Sequence, residues 1–376
     1  MSWQDPAPGE REAGDRAWSV LQAAFEERLP APSRRDWRPF AIAAVVAAVV
    51  AAALSPPGQA VFGSIRDAVR GEENARPALF SLPTSRSRLL VDSAEGAWVV
   101  QSNGSKRLLG GYRDASWSPH GLYLAAISGQ ELRALEPDGD VHWSIARTGL
   151  SSPRWSNAGG GDERIAYLAG STLRVVGGDG RGDRVLARGV TPIAPAWRPR
   201  SHVVAYADRT GRVVVRNADS GTVQWTATAQ QRPSGLAWSE DGRYLLVRGP
   251  TSITTFGRAG QQRLEPLGRG AAPVVDAAFM PSSHAVAFVQ QARGTSSVWF
   301  YPRLRPDGTA ARRVFAGAGR FDGIAWSPDG RWLALNWRSA DQWLFIRSAA
   351  VRKVVPVSGI DAAFGPEARF AGWCCP

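Results

Sequence analysis

"GIAWSPDGRWLALNW" occupies residues 323–337, and the same pattern returns as "ASWSPHGLYLAAIS" at 115–128 and "LAWSEDGRYLLVRG" at 236–249. Apolar side chains alternate on both sides of Ser327-Pro328-Asp329-Gly330, which is the period of a half-buried strand. Proline presets φ at the first central position of a tight turn, and aspartate suits the next. Glycine then takes the left-handed conformation that closes the loop. Residues 324–327 and 332–336 are therefore expected as neighbouring antiparallel strands joined by a three-residue loop, with positive φ at Gly330. Trp326, just before the turn, offers a broad flat surface to a neighbouring unit.

The units are regularly spaced. Anchor aromatics fall at Trp117, Trp155, Trp197, Trp238, Phe279, Trp326 and Phe364, in steps of 38, 42, 41, 41, 47 and 38 residues. Proline follows two places later at Pro119, Pro199, Pro281, Pro328 and Pro366. Two further β-rich runs follow each hairpin, as at 342–347 and 351–357. Four strands in roughly 40 residues is the period of a β-propeller blade. The segment "WSPDGRWLA" resembles the signature of TolB-type and WD40-like bacterial propeller repeats, and the resemblance covers residues 87–376. It implies an all-β propeller and carries little about activity, because propellers host many unrelated functions.

Six units carry anchor, hairpin and outer strands. The seventh, "DAAFGPEARFAGWCC" at 361–375, stops after an expected pair of strands. Upstream, "SRLLVDS", "AWVVQSN" and "SKRLLG" supply strands without an anchor. Joining the two ends into one composite blade would close the ring and remove its free edges, so seven blades are favoured over six.

Ahead of the propeller, residues 40–54 ("FAIAAVVAAVVAAAL") are uncharged and apolar. As a helix of about 1.5 Å rise per residue, this run approaches but falls short of a ~30 Å hydrocarbon core. Flanking residues extend it, and a transmembrane helix is expected over 40–57. A cleaved signal ending near Gly58-Gln59-Ala60 is the rival, but 39 residues precede the run. Arg34, Arg35 and Arg38 lie just before the span and Arg66 is the first arginine after it, so the N-terminus is expected in the cytoplasm and the propeller outside. The expected organisation is a cytoplasmic segment at 1–39, the span at 40–57, a stalk and linker at 58–86, and the propeller at 87–376. Within the first segment, residues 15–29 place Trp18, Leu21 and Phe25 on one helical face, a candidate surface for a cytoplasmic protein or for lipid.

The chain carries 45 basic and 33 acidic residues, and only Lys106 and Lys353 are lysines. The first 39 residues hold six arginines and seven acids, so the basic excess belongs to residues 40–376. That balance suits anionic envelope polymers or headgroups. Because the arginines are scattered, nucleic acid is not expected as a partner. Cys374 and Cys375 are adjacent and make neither a disulfide framework nor a zinc site; a buried end strand or an intermolecular bridge is the expectation.

No nucleophile elbow, HExxH, Walker A or strand-linked GxGxxG occurs. His120, His202 and His284 fall in or just after the first turn of their units, and solvated turn residues are expected there rather than metal ligands. "RNADSGTVQW" (216–225) and "ALEPDGDVHW" (134–143) resemble the tryptophan-docking repeat of quinoprotein propellers, but seven blades depart from the eight of quinoprotein dehydrogenases. No catalytic, cofactor or metal site is therefore assigned. The leading expectation is a non-enzymatic, membrane-anchored binding or scaffold module for an envelope protein, peptide or glycan. A transmembrane regulator whose layout resembles that of anti-sigma factors, and a propeller lyase, hydrolase or oxidoreductase, are the alternatives.

Overall fold

A computed structural model describes residues 81–84, 87–159, 161–264, 271–302, 304, 311–348 and 353–375. The candidate span, the helix at 15–29 with Trp18, Leu21 and Phe25, and nearly all of the stalk lie outside them. Among the described residues no helix is long and apolar enough to cross a membrane.

The described chain is almost all strand. β1 (Arg88–Ser93), β2 (Gly96–Val100) and β3 (Lys106–Leu108) come first. Blade 1 follows as β4 (Arg113–Trp117), β5 (Leu124–Ser128), β6 (Glu131–Leu135) and β7 (Val141–Ala146). Blade 2 is β8 (Leu150–Trp155), β9 (Arg164–Ala169), β10 (Thr172–Gly177) and β11 (Arg184–Arg188). Blade 3 is β12 (Ala196–Trp197), β13 (Val203–Ala207), β14 (Arg212–Asn217) and β15 (Val223–Thr228). Blade 4 is β16 (Gly235–Trp238), β17 (Tyr244–Arg248), β18 (Ile253–Gly257) and β19 (Gln262–Leu264). Blade 5 is β20 (Val274–Phe279), β21 (Val286–Ala292), β22 (Thr295–Tyr301) and β23 (Arg312–Ala318). Blade 6 is β24 (Phe321–Trp326), β25 (Trp332–Trp337), β26 (Gln342–Arg347) and β27 (Val354–Ser358), and a one-turn helix α1 (Ile360–Phe364) then leads into β28 (Arg369–Cys374).

Each blade is a four-stranded antiparallel sheet in chain order, A to D from axis to rim. The seventh has the order β28-β1-β2-β3, so the last strand supplies its innermost position. Seven blades result, and the first and last strands of the described propeller share one of them. The core is built at the interfaces between blades. Ala287, Val289, Val298 and Phe315 of blade 5 cluster with Ile324, Trp326, Leu333, Leu335 and Leu344 of blade 6.

Three local expectations change. The C-terminal pair of strands is one strand, β28, preceded by α1, because "IDAAF" is rich in a strong helix former and Gly359 and Gly365 bracket it. Phe364 accordingly ends a helix rather than a strand. It is fully buried, stacked on Trp343 of blade 6 at 4.8 Å and edge-on to Trp98 of blade 7 at 5.7 Å. The anchor register belongs to Trp373, which faces Leu89 across β28–β1 as Trp238 faces Leu245 in blade 4. The first turn is also longer than three residues: Ser327 N donates to Trp332 O at 2.8 Å, leaving four residues between them.

Candidate functional site

After Trp117, Trp155, Trp238 and Trp326 the turn is organised by the serine that follows the aromatic. Ser327 Oγ accepts from Trp332 N at 2.9 Å and donates to Asp329 Oδ1 at 2.5 Å, and Asp329 Oδ1 accepts from Arg331 N at 3.0 Å. Gly330 N closes the turn on Ser327 O at 2.8 Å, with φ of 65° at Gly330. Ser118, Ser156 and Ser239 bridge their turns by the same bond, from Tyr123 N, Arg164 N and Tyr244 N. All four serines are buried. Sequence reasoning fixed on the tryptophan and passed over its neighbour; the repeated Trp-Ser pair was the available signal.

The anchors reach backwards around the ring. Trp197 Nε1 donates to Arg154 O of blade 2 at 2.8 Å, and Trp238 Nε1 to Ala196 O of blade 3 at 3.2 Å. Trp155 packs against a cluster in which Ala125, Ile127 and Leu132 of blade 1 meet residues of blade 2, Phe279 joins Leu246 and Ile253 of blade 4, and Trp326 meets Phe300 of blade 5 at 6.4 Å. Trp117 packs on Gly372 of β28 under the guanidinium of Arg88, 5.0 Å from its ring centre. Trp373 completes the series against Phe345 of blade 6 at 5.6 Å. The quinoprotein-like tryptophans also dock between blades: Trp143 Nε1 donates to Gly178 O of blade 2 at 2.8 Å, and Trp225 Nε1 to Arg258 O of blade 4 at 2.9 Å.

On the A–B face, turns of adjoining blades clasp one another. His202 of blade 3 has Nδ1 2.6 Å from Asp219 Oδ2 and Nε2 2.8 Å from Asp162 O of blade 2. His284 of blade 5 has Nε2 2.8 Å from Asp241 Oδ2 of blade 4, and Ser282 N donates to Glu240 Oε2. Burial pulls the Asp241 carboxyl upward, but bonds from Ser239, His284 and Arg243 N hold it below the usual range. Arg200, Glu240, Asp241, Ser282, Ser283 and His284 line a shallow open hollow of about 280 Å³. His120 stands exposed on its own turn. The acids beside His202 and His284 come from a neighbouring turn or strand connection, so no fixed sequence offset announces them. Among the described residues, no group of three or more His, Cys, Asp or Glu side chains is arranged to hold a metal ion.

The inner strands carry a second set of charges. Asp114 Oδ2 accepts from Ser152 N of blade 2 at 3.2 Å, and Asp276 Oδ2 from Ile324 N of blade 6 at 3.0 Å. Each ties one inner strand to the next. Asp92 lies close by, buried, with Oδ1 unbonded among the described residues. Burial pushes its carboxyl up to about 6, against the pull of Arg369 and Arg154. Cys374 and Cys375 are bonded to each other and rest on the 118–121 turn, where Arg88 Nη2 donates to Gly121 O at 2.6 Å. The bridge is thus within the chain and not the intermolecular one expected as an alternative, while Cys374 is buried at a strand end as expected.

No protein-family model matches the chain, and no curated protein matches it. Solved structures do. Hsv2 of Kluyveromyces lactis is 12% identical with a TM-score of 0.53, over 70% of this chain and 90% of that one. A chain of the mitotic checkpoint complex is 16% identical with a TM-score of 0.51, over 65% of this chain and 78% of that one. At these identities the likeness shows the fold: a seven-bladed β-propeller with WD40-like neighbours.

Proposed function

We propose that this chain is a membrane-anchored, non-enzymatic binding or scaffold module of TolB-like type, held by a helix at 40–57 with its propeller outside the cytoplasm. Its ligand is a protein, peptide or glycan of the envelope. One observation carries the binding reading. His202 and His284, with Asp219, Asp162 and Asp241 beside them, fasten one turn to the next. They fasten blade 2 to blade 3 and blade 4 to blade 5 and leave the loop faces as surfaces to be recognised. A structural neighbour from the mitotic checkpoint complex accords with this. The anchor rests on the apolar run at 40–54 and the arginines before it.

Crosslinking and affinity capture of the full-length protein from its native membrane, compared with a chain lacking residues 1–39, tests the reading. Capture of the same envelope component by both chains is expected. Turnover of a small substrate with nothing captured would favour an enzyme, and capture that vanishes with residues 1–39 would favour a transmembrane regulator acting through Trp18, Leu21 and Phe25.

A further inference from the structure

Resting on that reading of the ring as a binding module, we propose that Arg188, Arg209 and Arg232 form a docking site for a short acidic polypeptide segment, on the face opposite the A–B turns. Arg188 ends β11 where the D–A connection of blade 2 begins, Arg209 lies on the B–C connection of blade 3 and Arg232 on the D–A connection of blade 3. These connections are fastened to one another. Arg209 N donates to Gly189 O at 2.9 Å, Thr191 N to Ala207 O at 2.8 Å, and Thr191 Oγ1 to Asp208 O at 2.6 Å. Arg232 Nη2 donates to Arg209 O at 2.6 Å. The arginines thus stand in a row on backbone that is itself paired, which limits the ordering cost when a ligand arrives.

Gly189 clears the ground for the middle one. Its φ is +68°, and a Cβ there would sit 2.5 Å from Arg209 Nε and 2.8 Å from Nη2. The guanidinium therefore lies directly over bare backbone.

Many arginines of the propeller are matched to acids, and this row is not. Arg147 and Arg174 share Asp183, Arg164 and Arg184 share Asp219, Arg320 and Arg338 share Asp322, Arg133 has Glu131 and Arg243 has Asp241. Arg188, Arg209 and Arg232 are exposed, and among the described residues none has a carboxylate within ion-pair distance. The adjacent acid, Asp208, is already engaged: its Oδ1 accepts from Thr210 N at 2.9 Å, Thr210 Oγ1 at 2.6 Å and Arg212 N at 3.0 Å. Arg212 itself turns to Thr226 Oγ1 at 2.7 Å.

Among the described residues, the arginines that flank the row are engaged. Towards blade 1, Arg174 is held by Asp183. Towards blade 5, Arg248 is held by the carbonyls of Ser234 at 3.1 Å and Val274 at 3.4 Å. Arg232 keeps one nitrogen on Arg209 O, and the remaining guanidinium N–H groups of the three suit a few carboxylates, which a guanidinium can grip through parallel bonds. A long polyanion would call for an extended basic track instead. The site also faces away from the chain's entry, since Leu82 N donates to Ser102 O beside the C–D connection of blade 7.

The test measures binding of a fluorescent glutamate-rich peptide, by anisotropy, to the full-length protein and two triple variants. One is R188Q/R209Q/R232Q. The other is R181Q/R243Q/R331Q, which removes the same charge from the A–B and C–D side. The first triple is expected to weaken binding about tenfold or more, with weaker salt dependence, and the second to change it little. No binding to the wild type, or an equal loss in both triples, would overturn the site. Inorganic polyphosphate, run in parallel, must bind more weakly than the peptide; stronger binding lost in the first triple would overturn the polypeptide assignment. Matching melting curves exclude unfolding as the cause. Undiminished capture of the envelope component by R188Q/R209Q/R232Q would leave the scaffold reading standing while this site fell.

Discussion

Single residues differ here in whether they serve the turn, the ring or the solvent. Gly330 serves the turn: its φ is 65°, and a Cβ would meet Pro281 O of the preceding blade at 3.1 Å. Gly330→Val should therefore lower stability by about 1–2 kcal/mol or more, and an unchanged denaturant midpoint would refute the turn assignment. Ser327→Ala removes the hydroxyl that takes Trp332 N and should cost about 1–3 kcal/mol in the same assay, because it orphans a buried donor. Asp92 runs the other way. Its carboxyl titrates near 6 in the folded chain against 3.8 ordinarily, so the native state holds the proton more tightly than the unfolded state. Its contribution is fully present below about pH 4 and declines as pH rises through 6, by about 2–3 kcal/mol before the coupling to Arg369 and Arg154 is discounted. Asp92→Asn is expected to melt higher than wild type at pH 7.5 and level with it at pH 4. A lower melting point at pH 7.5 would mean that Arg154 and Arg369 need the charge.

At the scale of elements, ring closure rests on one strand and one plug. β28 pairs with β1 over five positions, and Phe364 wedges between Trp343 and Trp98. Deleting 369–376 would expose the inner edge of blade 7 and strip Trp117 of its packing on Gly372, so cooperative loss of the whole ring is expected in thermal melts, rather than loss of a tail. Phe364→Ala should cost roughly 3–5 kcal/mol, as should Trp326→Ala, although the first sits on a helix and the second on a strand. These elements also show where the sequence was legible. Alternation around Ser327-Pro328-Asp329-Gly330 is local, so the hairpin and six anchors could be read directly. Trp373 could not, because no hairpin turn follows it and Cys374 replaces the serine. Phe364-Gly365-Pro366 copies the spacing of Trp-Ser-Pro while the alanines before it make a helical turn. The clasps between His202 and Asp162 and between His284 and Asp241 join residues 40 and 43 positions apart, and the arginine row spans three connections. Only the ring's closure brings such residues together.

At the scale of the molecule, the two ends of the ring define its polarity. Arg88 faces Cys374 across β1–β28, so the chain enters and leaves on the A–B side and the opposite face, with Arg188, Arg209 and Arg232, points away from both ends. Membrane orientation decides which compartment that face sees. Three arginines immediately before the apolar run, and none for eleven residues after Leu54, bias residues 1–39 to the cytoplasm. A reporter placed after Arg35 should accordingly read cytoplasm, and one placed after Pro376, which leaves β28 intact, should read exterior. Both fusions should remain in the membrane at full mass after alkaline extraction. A soluble exterior product beginning near Val61 would show a cleaved signal and a freely diffusing propeller. A cytoplasmic reading at Pro376 would place the arginine row on the wrong side for any envelope ligand, and the extracytoplasmic scaffold would have to be abandoned.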